Sequence, residues 1–317
     1  MHKTISVTWP WTRYKDPEAI VADALALGAD DLCIRATDGN ALYGIGLKTK
    51  AQWRGKCYLD LEKAAKLANL TTSIWCALRL VDWAGDADAI HKAADYYNPP
   101  VIWIDAEALA KKNIANLGPF LRRLGRMGTR VVAVQSYRRA DLHREMAWRK
   151  WYGYKDEASG RYVIDGLGHQ LYPIGTHGLA AWVEDWKRAI AAHEAEAAAV
   201  GRPGMDWYPT VPAFIGGAYE GQKTPWEPTG DEVVGAVQWM IGELGDRVKR
   251  INFWALDTDL VHMPKLFAAI AALELPVSTE TPAPLAFPQL AESKRWELVE
   301  RGLKLQGVLD SNGVPRA

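Results

Sequence analysis

The chain has 317 residues, of which 49% are hydrophobic and 24% charged. That balance belongs to a folded globular protein and excludes a disordered one. Lys plus Arg and Asp plus Glu both total 38, and a zero net charge lacks the basic excess of a nucleic-acid binder. No apolar run approaches the roughly 20 residues of a membrane span, and Met1 leads straight into a strand-like run with no signal-peptide apolar region.

Short β-branched or aromatic runs alternate with helical patterns eight times, which predicts parallel strands joined by crossover helices. Strand one is expected at Thr4 to Trp9, followed by a helix with Asp16 as N-cap, Pro17 at its first position and Gly28 past its end. Strand two is read at Asp31 to Ala36, a helix near Leu59 to Asn69, and strand three at Thr72 to Leu78. Asp86 is the expected cap of the next helix, which runs to about Tyr97 and stops before Pro99 and Pro100. Strand four is Val101 to Asp105, extended by Ala106 and Glu107; a helix through Leu117 to Leu124 leads to strand five, Arg130 to Gln135. Strands six, seven and eight are read at His169 to Pro173, Trp207 to Ala213 and Arg250 to Leu256. Before strand eight, Thr229 with Glu232 three residues on spells a capping box. Eight strands and eight helices in this order predict a closed (β/α)8 barrel, a TIM barrel, over residues 1–275, in preference to an open doubly wound sheet.

Two segments exceed the minimal barrel. Trp151 to Gly168 reads as an inserted β-hairpin after strand five, expected to wall the functional rim. From Pro276 a Pro/Thr-rich linker leads to an amphipathic helix at about Gln289 to Leu305, so 276–317 is expected to be a tail that docks on a protein partner or assembly.

Cys33, Cys57 and Cys76 show no Cys-x-x-Cys spacing and their number is odd, so neither a disulfide framework nor a zinc site is indicated. The histidines are scattered, and no phosphate-cradling glycine loop or Gly-x-Ser-x-Gly elbow occurs. No cofactor and no metal are therefore expected.

The ends of the strands carry the chemistry of a barrel. Asp105 and Glu107 are two residues apart on one face of strand four, roughly 6–7 Å from each other. Such a pair suits general acid work, with the charge on Asp105 expected to keep Glu107 protonated. Around them the strand ends offer Trp9, Asp38, Trp75, Gln135, Tyr137, Gln170 with Tyr172, and Asn252 with Trp254 and Asp257. Carboxylates facing amide and phenol donors over an indole floor suit a neutral sugar ring, and fifteen tryptophans supply faces for stacking, although Trp also fills cores.

Asp105-Ala106-Glu107, Gln170-Leu171-Tyr172 and Phe253-Trp254-Ala255-Leu256-Asp257 resemble, in order and spacing, motifs of the family 18 chitinases. The resemblance implies Glu107 as general acid, Asp105 orienting the substrate's N-acetyl group, Tyr172 donating to it and Trp254 flooring the subsite. It further implies retention of configuration, with the substrate's own acetamido oxygen as nucleophile. The chain departs from the family in having Trp103 and Pro100 where further acids stand upstream, and Pro173 where an Asp follows the Tyr. Asp-x-Glu on strand four also resembles the family 25 lysozymes, whose strand-one Asp is replaced here by Val7-Thr8-Trp9.

Two expectations follow. One is an endo-acting, retaining glycosidase on an N-acetylated glycan of the peptidoglycan or chitin type. The other is an inactive barrel that binds glycan or serves as a structural component of an assembly such as a virion. The expected location is accordingly the cytoplasm or a virion.

Overall fold

The computed structural model describes residues 1–8, 14, 16–43, 58–173, 175–215, 226–256 and 260–276. Strand one is His2–Val7, strand two Asp31–Asp38, strand three Thr71–Leu78, strand four Val101–Ala106 and strand five Val131–Gln135. Strand six is Gly166–Leu167, strand seven comes in two pieces, Asp206–Trp207 and Thr210–Pro212, and strand eight is Arg250–Trp254. All neighbours in this series pair in parallel, and strand one pairs with both strand two and strand eight. Strand six pairs with the first piece of strand seven and strand eight with the second, so the ring closes through the Tyr208-Pro209 break. The predicted barrel is present. Strand six begins earlier than expected, at Gly166, and its pairing reaches Gln170 through a single bridge to Thr210.

Alternation along the strands sorts side chains into two cores. Outward-facing Ile34, Ile74, Ile102, Ile104, Val132 and Val134 are buried under the helices. Inward-facing Cys33, Trp75, Val101, Trp103, Ala133 and Tyr208 fill the barrel, which is therefore a packed core and not a pore. Two indoles and a phenol fit inside because strand six carries glycines. A Cβ on Gly168 would lie 2.9 Å from Trp103 Cδ1, and one on Gly166 would overlap the Tyr208 ring. The Trp103 indole donates to the Tyr208 carbonyl at 3.0 Å. Next to this plug, Ser6 donates to Asn252 (2.7 Å), Asn252 to Thr210 (3.3 Å) and Thr210 to Gln135 (3.2 Å), a polar layer closed to solvent.

Helix signals in the sequence act as expected at two starts. Asp16 accepts from the Ala19 N–H at 2.8 Å ahead of Pro17–Ala26, and Gly28 has φ +70°. Thr229 and Glu232 form the capping box of Gly230–Leu244. The helix after strand three is capped by Asp82, not Asp86. It spans Trp83–Tyr97, and Asp82 accepts from Gly85 N at 3.1 Å. Asp86 is buried in its first turn, where it accepts from Leu80 N (2.7 Å) and Arg79 N (3.2 Å) and so ties down the end of strand three.

The expected hairpin is present within Trp151 to Gly168 but is shorter, and it occupies the other end of the barrel. Trp151 to Gly153 end a helix, Trp148–Gly153, and only Lys155 and Tyr162 pair in antiparallel fashion, around a turn in which Asp156 accepts from Ser159 N at 2.9 Å. This turn follows the helix and precedes strand six. It contacts the segment before strand five through Arg122–Glu157 (3.0 Å) and the Arg126 bond to the Tyr162 carbonyl (3.4 Å). It belongs to the end of the barrel where strands begin, opposite the rim it was expected to wall. The rim after strand five is built instead by the helical turns Ala140–Leu142 and Arg144–Met146. The C-terminal segment 277–317, with its expected linker and helix, lies outside the described residues. No described helix is long and apolar enough to cross a membrane.

Candidate active site

Strand four delivers the two carboxyls as its parity requires. Trp103 points into the packed interior, Asp105 follows at the last inward position, and Glu107 comes two residues later, opening a short helix, Ala108–Lys112. Asp105 is buried, whereas Glu107 keeps solvent access. Gln170, brought across by strand six, joins them: its Nε2 donates to Asp105 Oδ1 at 3.1 Å and to Glu107 Oε1 at 2.7 Å. One amide nitrogen with two hydrogens thus holds both acids.

The pair binds protons more tightly than ordinary carboxyls. Burial pushes Asp105 well above the usual carboxylate range and the charge on Glu107 adds to the rise, against the pull of Trp75, Arg35 and Gln170. Glu107 is raised as well, by the protein walls around its carboxyl, with Gln170 opposing. The two acids titrate together, so the bound proton belongs to the pair. The expected lift of Glu107 by the Asp105 charge is thus not what raises it: desolvation does, and the charge effect acts in the other direction, from Glu107 on Asp105.

Tyr172 follows Gln170 on the same face. Its phenol oxygen is buried and has no hydrogen-bond partner, while its ring meets Phe214 edge-on at 5.1 Å and its carbonyl accepts from Arg138 at 2.8 Å. Burial raises its pKa far above the usual phenol value, and the charges of Asp105 and Glu107 add to this, so the hydroxyl keeps its proton. A buried donor without an acceptor costs about 1–3 kcal/mol, which a ligand oxygen would relieve.

The remaining expected residues divide by environment. Trp75 and Trp254 meet edge-on at 4.7 Å, with Trp254 partly exposed, and make an indole corner beside the acids. Tyr137 stacks on His143 at 3.9 Å, and burial followed by the Glu107 charge raises its pKa. Asp38 is held by two guanidinium groups, Arg79 (2.7 and 2.8 Å) and Arg35 (3.0 Å). Gln135 and Asn252 lie in the closed polar layer, where Gln135 Nε2 has no partner. Trp9 and Asp257 lie outside the described residues. Most described tryptophans are core: Trp103, Trp148, Trp151, Trp182, Trp186, Trp207 and Trp226 are fully buried. Arg35 was missed, although strand alternation places it on the inward face, two residues beyond inward-facing Cys33. It lies over the Trp75 ring at 5.0 Å and lowers the Asp105 pKa.

Comparison with solved structures identifies the fold class. A GH18 chitinase from Pseudoalteromonas aurantia superposes with a TM-score of 0.54 at 12% identity, over 86% of this chain and 99% of that one. The spore cortex-lytic enzyme SleL of Bacillus cereus gives 0.55 at 10% identity, over 86% and 74%. The catalytic domain of a family GH18 chitinase from the fern Peteris ryukyuensis gives 0.53 at 13% identity, over 85% and 97%. The chain therefore has the (β/α)8 barrel fold of these glycoside hydrolases. No protein-family model and no curated protein matches it in sequence.

Proposed function

We propose that the chain is a glycoside hydrolase acting on an N-acetylated glycan of the peptidoglycan or chitin type, with Glu107 as general acid. The observation that carries this reading is the arrangement around Gln170: a solvent-reached acid and a buried acid on one amide, with a buried, partnerless phenol two residues further along the chain. Glu107 gives its proton to the glycosidic oxygen as the C–O bond breaks, and the acetamido oxygen of the substrate takes the anomeric carbon. Asp105 accepts from the acetamido N–H and Tyr172 donates to the acetamido oxygen, aligning it for attack. Glu107, now a carboxylate, takes a proton from the water that opens the intermediate, so configuration is retained. Trp254 and Trp75 supply the apolar wall against which a sugar ring stacks. The neighbours in fold are named for chitin and spore cortex, and this agrees with the glycan class proposed here.

The test is release of reducing ends from peptidoglycan and from chitin oligomers. Wild-type turnover that falls ~10²–10⁴-fold in Glu107→Gln is the expected result. No release by a folded wild-type chain would refute the hydrolase and favour a glycan-binding or structural barrel, such as a virion component. The absence of the upstream acids from strand four, where Trp103 plugs the interior, is the feature that second reading rests on.

A further inference from the structure

Behind the site lies a buried group that the proposed reaction does not use. Tyr152, His169 and His193 are all fully buried, and the two imidazole rings stack at 3.5 Å. The Tyr152 hydroxyl lies 2.8 Å from His169 Nε2 and 2.7 Å from His193 Nδ1, and His193 Nε2 lies 3.0 Å from the Tyr137 carbonyl. Burial holds both histidines below the usual imidazole range, His193 at about 3, so each carries a single ring proton at neutral pH.

That proton count leaves one arrangement. A carbonyl only accepts, so His193 Nε2 is the donor to Tyr137 and His193 Nδ1 is an acceptor. The Tyr152 hydroxyl must then donate to His193, which leaves its oxygen to accept from His169 Nε2–H. Were His169 protonated on Nδ1 instead, toward the nearby Ser136 carbonyl, Tyr152 would have to donate twice with one hydrogen. The Ser136 carbonyl accepts from Gln170 N at 3.0 Å, and no hydrogen bond of good geometry joins it to His169 Nδ1.

We infer that Tyr152, His169 and His193 are positioning residues for the proposed hydrolase site, a one-directional hydrogen-bond chain that fixes strand six at His169 and the rim at Tyr137. This inference rests on the reading above. His169 precedes Gln170, whose amide holds both acids, so a shift of the strand at His169 moves that amide relative to Asp105 and Glu107. Tyr137, at the other end of the chain, is close enough to Glu107 to feel its charge.

Nitrogen-15 NMR of the histidine rings in the wild-type chain tests the arrangement without any need for turnover. Both rings are expected neutral and protonated on Nε2 at pH 7; an Nδ1–H tautomer or a charged ring at either position would overturn the chain. Tyr152→Phe, which removes the hydroxyl and keeps the ring, tests the role. Its kcat on the glycan that the wild type cleaves is expected to fall roughly ten- to a hundredfold, with KM little changed and the pH–rate profile displaced as Gln170 loosens on the acids. Phe267→Leu, in the remote helix Pro264–Ala272, is the control for lost stability alone and is expected to keep wild-type kcat. A Tyr152→Phe profile superposable on wild type, or a Phe267→Leu loss equal to it, would refute positioning while leaving the hydrolase intact. A folded wild-type chain with no turnover on either glycan would refute both.

Discussion

Replacing Gln170 by Leu, of similar size but without an amide, deprives both acids of their shared donor. A hydrogen bond to an ionised group contributes ~1.5–3 kcal/mol where water is excluded, and this applies in full to Asp105, which is buried. At Glu107, which keeps solvent access, water replaces most of what is lost. The ionised pair should therefore lose about 2 kcal/mol, equivalent to a roughly thirtyfold higher proton affinity. Carbon-13 NMR of the Asp and Glu carboxyls should show the titration of the pair displaced to higher pH in Gln170→Leu. The linked effect on stability has a definite sign. Both acids have pKa values raised by folding, so the folded chain binds more protons than the unfolded one between the ordinary carboxyl range and the raised values, and stability falls as pH rises through that window. Gln170→Leu extends the fall upward: the variant should lose about 2 kcal/mol relative to wild type above the window, and the difference should fade as the pH drops and both acids protonate. A titration that stays in place or moves to lower pH would refute the assignment of Gln170 as the donor that holds the pair.

Two further predictions concern the scaffold. Trp103→Ala empties the barrel interior and leaves the Tyr208 carbonyl without its donor, so urea unfolding should show a loss of about 3–5 kcal/mol; a loss below about 1 kcal/mol would mean the interior collapses onto the gap. Lys3 is buried with its ammonium on the carbonyls of Leu27 (2.9 Å) and Ile270 (2.8 Å), and burial lowers its pKa to about 8. The folded chain then binds fewer protons than the unfolded one from pH 8 to about 10.5, so wild-type stability should rise through that window, by on the order of 3 kcal/mol relative to Lys3→Met. A flat difference between the two proteins would show that the Lys3 ammonium is not desolvated.

Much of the barrel was legible in the sequence because its signals are local. Strand runs such as Val-Ile-Trp-Ile-Asp, the Asp16-Pro17 start and the Thr229/Glu232 box each act within a few residues. Spacing by two likewise assigns Asp105 with Glu107 and Gln170 with Tyr172 to shared faces from the sequence alone. Errors arose where neighbouring residues compete for one role. Asp82 and Asp86 both suit an N-cap, and only the buried turn at Arg79 and Leu80 decided that Asp86 satisfies those two N–H groups and leaves the cap to Asp82. For the hairpin, counting residues after strand five could not show that the helix Trp148–Gly153 comes first and carries the turn to the far end of the barrel.

The sequence by itself determined the order of strands and helices, the caps at Asp16 and Thr229 and the inward face of strand four, since these follow from backbone periodicity and side-chain chemistry within a few residues. Only the tertiary structure decided what those inward faces do. It sorted the tryptophans into core, with Trp75 and Trp254 beside the acids, and closed Gln135 and Asn252 into an interior layer. It bound Asp38 to two arginines and set Gln170 across both carboxyls while leaving the Tyr172 hydroxyl unpartnered. It also joined His169 and His193 through Tyr152. Those outcomes depend on which side chains meet across the closed ring, between residues tens of positions apart, and on how much water reaches them, and neither is encoded in any single stretch of chain.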